Sequence, residues 1–111
     1  MNHFYTLKVS KIQNVTDEAV RITFEISSSI QDKFKFKQGQ YLNLKFNFGA
    51  EEFRRAYSII DAPSENSQTL SILVKQMENG TISTYLNQNL KENDEVEVQQ
   101  PMGNFCTNYH V

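Results

Sequence analysis

Apolar and polar residues alternate along this chain in short runs divided by polar turns, a period-two pattern that marks half-buried β-strands. Residues 4–12 place Tyr5, Leu7 and Val9 on one face, and residues 20–26 repeat the pattern with Val20, Ile22, Phe24 and Ile26. The polar stretch from Asn14 to Glu18 predicts the turn between them. After Ile26, the serines and the Lys-rich stretch up to Gln38 read as a surface connection, and Gly39 announces a third strand. That strand, residues 41–48, sets Leu42, Leu44, Phe46 and Phe48 on one side. Gly49 to Glu52 predicts a turn into a fourth segment, residues 53–60; Asp61 to Ser67 predicts a loop, and residues 70–75 a fifth strand.

The period changes once, at Thr81. Ile82, Tyr85, Leu86 and Leu90 fall at helical spacing, which predicts a short amphipathic helix of about ten residues, ended by Glu92-Asn93-Asp94. Val96 and Val98 mark a last strand, and Pro101-Met102-Gly103 is expected to terminate its pairing. The resulting expectation is an all-β fold: a six-stranded antiparallel Greek-key barrel with one short helix, in which closure removes exposed strand edges.

Composition narrows the picture. A chain of 111 residues with 39% apolar residues makes one domain, residues 1–111, with a small core. Eleven basic against thirteen acidic residues give a net charge of −2, which offers no general attraction for nucleic acid or an anionic membrane. A polyanionic ligand would need a local basic site. The single cysteine, Cys106, excludes an internal disulfide and a Cys-rich metal or iron–sulfur site within these residues. Residues 1–20 lack a secretory apolar core, and no run is long enough to cross a bilayer, so a soluble, cytoplasmic setting is expected. The sequons at Asn14 and Asn79 are then chance matches.

Candidate chemistry concentrates in Arg54-Arg55-Ala56-Tyr57-Ser58-Ile59. In a strand, Arg55 and Tyr57 share one face and Ser58 takes the other. A guanidinium for phosphates, a ring for stacking and a hydroxyl for a ring nitrogen suit a flavin nucleotide. Further on, Gly80-Thr81-Ile82-Ser83 stands at the predicted helix start, where unpaired N–H groups and the helix dipole favour phosphate. Plainer readings exist for each. Arg55 and Arg54 could be solvated strand cations, Tyr57 a cross-strand aromatic, and Asn79-Gly80 a hairpin turn or Thr81 an ordinary cap. No His or Asp neighbours Ser58 in sequence, so a nucleophilic triad is not indicated.

Taken in order, these motifs resemble the FAD-binding, FR-type barrel of the ferredoxin–NADP+ reductase superfamily. Phe36-Lys37-Gln38-Gly39-Gln40-Tyr41 is similar to that family's approach to the third strand, with Gln38 where proline is usual. Residues 70–75 resemble its fifth strand, and Pro101-Met102-Gly103-Asn104-Phe105 its closing turn. The similarity is greatest to reductase components of oxygenases, the phenylacetyl-CoA epoxidase reductase type among them.

The resemblance implies that Arg55 holds a pyrophosphate, with Ala56 beside it, and that Tyr57 lies against the isoalloxazine. It further implies that Ser58 hydrogen-bonds near the flavin N5, that Leu73, Val74 and Lys75 contact the flavin through their backbone, and that Gly80, Thr81, Ile82 and Ser83 receive phosphate. FAD is the implied cofactor, with FMN the alternative. In the parent protein, hydride would pass from NAD(P)H to the flavin and single electrons onward to an iron–sulfur centre serving an oxygenase. No glycine-rich dinucleotide fingerprint occurs in these residues. The chain is therefore expected to be the N-terminal barrel of a longer reductase, whose nicotinamide-binding and [2Fe–2S] domains are its partners, and not to oxidise NAD(P)H efficiently alone. NAD(P)H and [2Fe–2S] are implied for the parent and not bound by this barrel. A barrel that binds another ligand or a protein without chemistry is the competing reading.

The remaining signals carry less. Cys106 has no basic partner in sequence and reads as a buried or incidental thiol. His3 and His110 form no metal spacing. Lys33-Phe34-Lys35-Phe36-Lys37 interleaves cations with aromatics as single-strand nucleic-acid binders do, but an exposed strand or loop face suits an acidic chain better.

Overall fold

In the computed structural model, which describes residues 3–61, 68–76 and 81–103 without the side chains of Thr81 and Ser83, the strands are β1 (Phe4–Thr16), β2 (Ala19–Glu25), β3 (Tyr41–Phe48), β4 (Glu51–Ser58), β5 (Thr69–Lys75) and β6 (Glu95–Gln99). The helix is α1 (Thr81–Gln88), and a 3-10 helix, Ser28–Phe34, joins β2 to β3. One antiparallel sheet holds all six strands in the order β4-β3-β6-β1-β2-β5. The two hairpins β1–β2 and β3–β4 are local, and β6 returns from α1 to lie between β1 and β3. This is the expected antiparallel architecture with its long connections, though closure is incomplete. The end strands β4 and β5 meet at a single bridge, Ile59 with Ile72, beside which the Ile60 N–H donates to the Ser71 carbonyl at 3.0 Å. No ladder joins them.

The inward faces supply the core: Leu7, Val9, Ile22, Phe24, Leu42, Leu44, Leu70, Ile72, Val74, Val96 and Val98 are buried. Each such side chain contributes about 2 kcal/mol by leaving water. Helix α1 packs on β5 and β2, and its helical spacing buries Ile82 and Leu86 together. Tyr85, one position before Leu86, meets Phe46 and Phe48 edge-on at 5.9 and 5.3 Å between ring centroids. The helix thereby stops one mouth of the curled sheet. Among the described residues, no helix is long and apolar enough to cross a membrane.

Local differences from the pattern have physical causes. β1 runs to Thr16, so the turn before β2 shrinks to Asp17 and Glu18, where the Thr16 hydroxyl accepts the Glu18 N–H at 3.1 Å. A bulge at Ser10, between the Val9–Phe24 and Lys11–Thr23 pairs, reverses the alternation and brings Ile12 onto the inner face opposite Ile22. The surface connection after Ile26 contains the 3-10 helix, and within Lys33–Lys37 the two phenylalanines are buried while the lysines are exposed. Those rings belong to the core and offer no stacking platform. β4 begins at Glu51, two residues before the pattern shows. β6 ends at Gln99, ahead of Pro101 as expected, although beyond it Met102 makes an isolated bridge and exchanges both backbone hydrogen bonds with Tyr41, each at 2.9 Å.

Candidate functional site

The register of β3 against β4 places Phe53, Arg55 and Tyr57 opposite Phe46, Leu44 and Leu42. Paired residues share a face, so all three belong to the inner face of β4, while Arg54, Ala56 and Ser58 take the other. Yet Arg55 is exposed and Tyr57 only half-buried. The position of β4 at the end of the sheet accounts for this: it is laddered to β3 alone, and among the described residues it meets β5 only at the Ile59–Ile72 bridge.

Ring contacts lead from Arg55 toward the helix. Its guanidinium lies 5.7 Å from the Phe53 ring centre, Phe53 is 5.7 Å from Phe48, and Phe48 is 5.3 Å from Tyr85 of α1. A continuous set of ring contacts therefore joins β4 to α1. Arg55 donates through Nη1 to the Arg54 carbonyl at 2.8 Å, and among the described residues no carboxylate pairs with it. Arg54 differs: it holds Glu52 at 2.7 Å and sits 5.1 Å from the Phe4 ring. The plain structural reading suits Arg54 and leaves Arg55 with its charge directed outward.

Burial pushes the Tyr57 phenol above its ordinary value, and the Arg55 charge pulls in the opposite direction with the smaller effect. The ring is consequently neutral at physiological pH, an apolar surface with a hydroxyl donor. Ser58, at the last position of β4, is exposed. Antiparallel register, continued one step from the Ile59–Ile72 bridge, sets Ser58 against Leu73.

On β5 the three expected positions behave differently. Leu73 is 41% exposed although strongly apolar, Val74 is fully buried, and Lys75 is exposed. Val74 thus offers a ligand only backbone, and its carbonyl accepts from Asn87 Nδ2 of α1 at 3.3 Å. The Ser71 amide and carbonyl both face the seam, where they bond Asp61 and Ile60. Strand alternation sends the amide and carbonyl of Leu73 to that same edge. On α1, Ile82 is core; Thr81 opens the helix and Ser83 lies in its first turn, while Gly80 lies outside the described residues, as do Cys106 and His110.

The motifs flanking β3 also converge. Gln40 accepts the Lys37 N–H at 2.8 Å, donates to the Gly103 carbonyl at 2.9 Å, and receives the Ile59 N–H on its own carbonyl at 3.1 Å. Gly103 has φ +108°, and a Cβ there would stand 3.1 Å from the Tyr41 ring. Only glycine fits both demands. The approach to β3, the closing turn and the end of β4 are therefore one connected structure.

Pattern reading missed Phe53, Phe48 and Asp61. The two aromatics read as ordinary strand residues, and Asp61 as a loop residue. In the structure Asp61 accepts the Ser71 N–H at 2.5 Å and pairs with Arg21 at 3.6 Å. No local signal reports contacts across such sequence separations.

The fold is an antiparallel six-stranded sheet curled around a core that α1 covers at one end, with an exposed arginine and a half-buried tyrosine beside its incomplete seam. A family model described as the oxidoreductase FAD-binding domain matches residues 6–107, and the chain belongs to that family. A component of the 1,2-phenylacetyl-CoA epoxidase of Escherichia coli (strain K12) is 37% identical over 107 residues, covering 95% of this chain and 29% of that protein. A ferredoxin NADP+ reductase from Neisseria gonorrhoeae, solved with bound FAD and NADP, shares the fold at TM-score 0.78 and 20% identity, over 95% of this chain and 40% of its own. Phthalate dioxygenase reductase, described as a modular structure for electron transfer from pyridine nucleotides to [2Fe–2S], superimposes at TM-score 0.76 and 24% identity, over 91% of this chain and 30% of its own. The chain thus spans well under half the length of each.

Proposed function

We propose that FAD binds along the β4–β5 seam, and that this barrel is the flavin-holding part of an NAD(P)H-dependent reductase serving an oxygenase. The observation that carries the reading is the seam itself, beside which lie an exposed guanidinium with no carboxylate partner among the described residues and a half-buried neutral ring, where the two end strands share a single bridge. A dinucleotide flavin needs a cation for its phosphates, a flat surface for its ring and hydrogen-bonding groups for its polar edge, and these residues fit it. Bound there, FAD would supply hydride acceptance and one-electron release.

In this reading Arg55, next to Ala56, holds the phosphates, aided by the start of α1 at Gly80, Thr81, Ile82 and Ser83. Tyr57 excludes water from one face of the ring, and Ser58 donates to its central nitrogen. Leu73 and Lys75 offer backbone groups at the edge, and Val74 anchors that edge in the core. The domain 1–111 then works with a nicotinamide-binding domain and a [2Fe–2S] centre, as the greater lengths of the relatives and the modular make-up of phthalate dioxygenase reductase suggest. A cytoplasmic location follows from such partners.

Incubation with FAD or FMN, followed by desalting and visible absorption, tests the reading. Retained flavin bands, stronger for FAD and lost in Arg55→Ala, are expected. Absence of binding by this chain and by a longer protein containing it would favour a barrel for another ligand.

A further inference from the structure

One carboxylate bonds across the seam. Asp61 lies three residues beyond Ser58, and its Oδ1 accepts the Ser71 N–H at 2.5 Å while its Oδ2 stands 3.6 Å from Arg21 Nη2. Ser71 is itself buried, and its hydroxyl shares a 2.9 Å hydrogen bond with Thr23 of β2. Beside this, the Ile60 N–H bonds the Ser71 carbonyl at 3.0 Å. One side chain therefore joins the tail of β4, the middle of β5 and a side chain of β2 at the only place where the sheet's two ends touch among the described residues.

The clasp sits next to the proposed flavin edge. Ser58 precedes the bridging Ile59, and Leu73 follows the bridging Ile72, so the bridge sets how these two positions face each other across the opening. A sheet end held by a single bridge has little else to fix that register. Resting on the flavin reading above, we infer that Asp61 is a positioning residue for FAD: its hydrogen bond to Ser71 holds β4 and β5 at the spacing the flavin requires. The Arg21 pair contributes less, because the two side chains are 41% and 22% exposed and water screens them.

Asp61→Asn keeps an oxygen for the Ser71 N–H and loses the ion pair; Asp61→Ala loses both. In FAD titrations followed by flavin fluorescence, Asp61→Ala is expected to bind about 10-fold more weakly, the scale of one lost charge-assisted hydrogen bond. Asp61→Asn and Arg21→Gln should stay within about 3-fold of the unaltered chain. The visible spectrum of bound FAD should shift in Asp61→Ala alone. Should that variant fail to fold, amide exchange in the unaltered chain still decides: reciprocity requires FAD to slow exchange at Ile60 and Ser71. Unchanged affinity in Asp61→Ala, equal weakening in Asp61→Asn, or amide exchange at those two positions indifferent to FAD would each overturn the inference. If the unaltered chain itself binds no FAD, the flavin reading fails first, and that outcome is distinct from these.

Discussion

The two halves of this sheet are built to different standards. β1 is hydrogen-bonded on both sides, to β2 and β6, and these strands pack the buried faces of Leu7, Val9, Phe24 and Val98. β4 and β5 have one laddered neighbour each and meet at one bridge. A free edge is ordinarily a liability for aggregation. Here it is flanked by Arg55 and Lys75, and carries an exposed Leu73 where an apolar side chain would normally be covered. The continuous half supplies stability, and the incomplete half carries the exposed Arg55 and the half-buried Tyr57 to which the proposed flavin site is assigned.

The largest effect should come from breaking the continuous half. Phe24 is fully buried, so Phe24→Ala is expected to cost about 3–5 kcal/mol in chemical denaturation and to abolish flavin binding with the fold. A loss under about 1 kcal/mol would mean that the core does not centre on β2. Arg55→Ala attacks the other half. It should leave stability within about 0.5 kcal/mol, as for other exposed substitutions, while weakening FAD by roughly 10- to 100-fold. Arg55→Lys keeps the charge but not the planar fork and should recover only part of the affinity. Equal losses of stability and affinity in Arg55→Ala would erase the contrast between the halves.

Tyr57 sharpens the comparison through pH. Its folded phenol is held above the ordinary value of about 10, so folding gains from it fully below that value and loses that gain as pH rises through the raised one. Ultraviolet titration should show two tyrosines ionising late, Tyr57 and Tyr85, and Tyr57 later still in Arg55→Ala, since the Arg55 charge favours its phenolate. Earlier ionisation in that variant would contradict the Arg55–Tyr57 coupling. The smallest effect belongs to Lys45, which pairs with Glu97 at 3.3 Å and lies 4.7 Å from the Phe4 ring. Lys45→Gln should cost below about 1 kcal/mol and leave FAD affinity unaltered.

Much of the strand content was legible because period-two alternation survives in any half-buried strand. Leu42, Leu44 and Phe46 read as one face and are one face. The helix was legible from Ile82, Tyr85 and Leu86 because three-and-four spacing permits no strand. The bulge at Ser10 was not, since an inserted residue leaves no compositional trace. Nor was the 3-10 helix, whose sequence from Ser28 to Phe34, with two serines and one lysine, has neither strand alternation nor a sustained helical spacing.

For the candidate site, residue order alone established that a guanidinium, a phenol and a hydroxyl sit within four positions on an extended segment, and that Arg55 and Tyr57 share a side. Folding in three dimensions settled which side that is, and that it is open: β5 curls in to touch Ile59 and then departs, so an inward-facing arginine emerges into solvent. The same curl brings Asp61 to Ser71 and Arg21. Local patterns are set by backbone geometry within a few residues, whereas the closing of a sheet depends on the summed twist of six strands, which no short window contains.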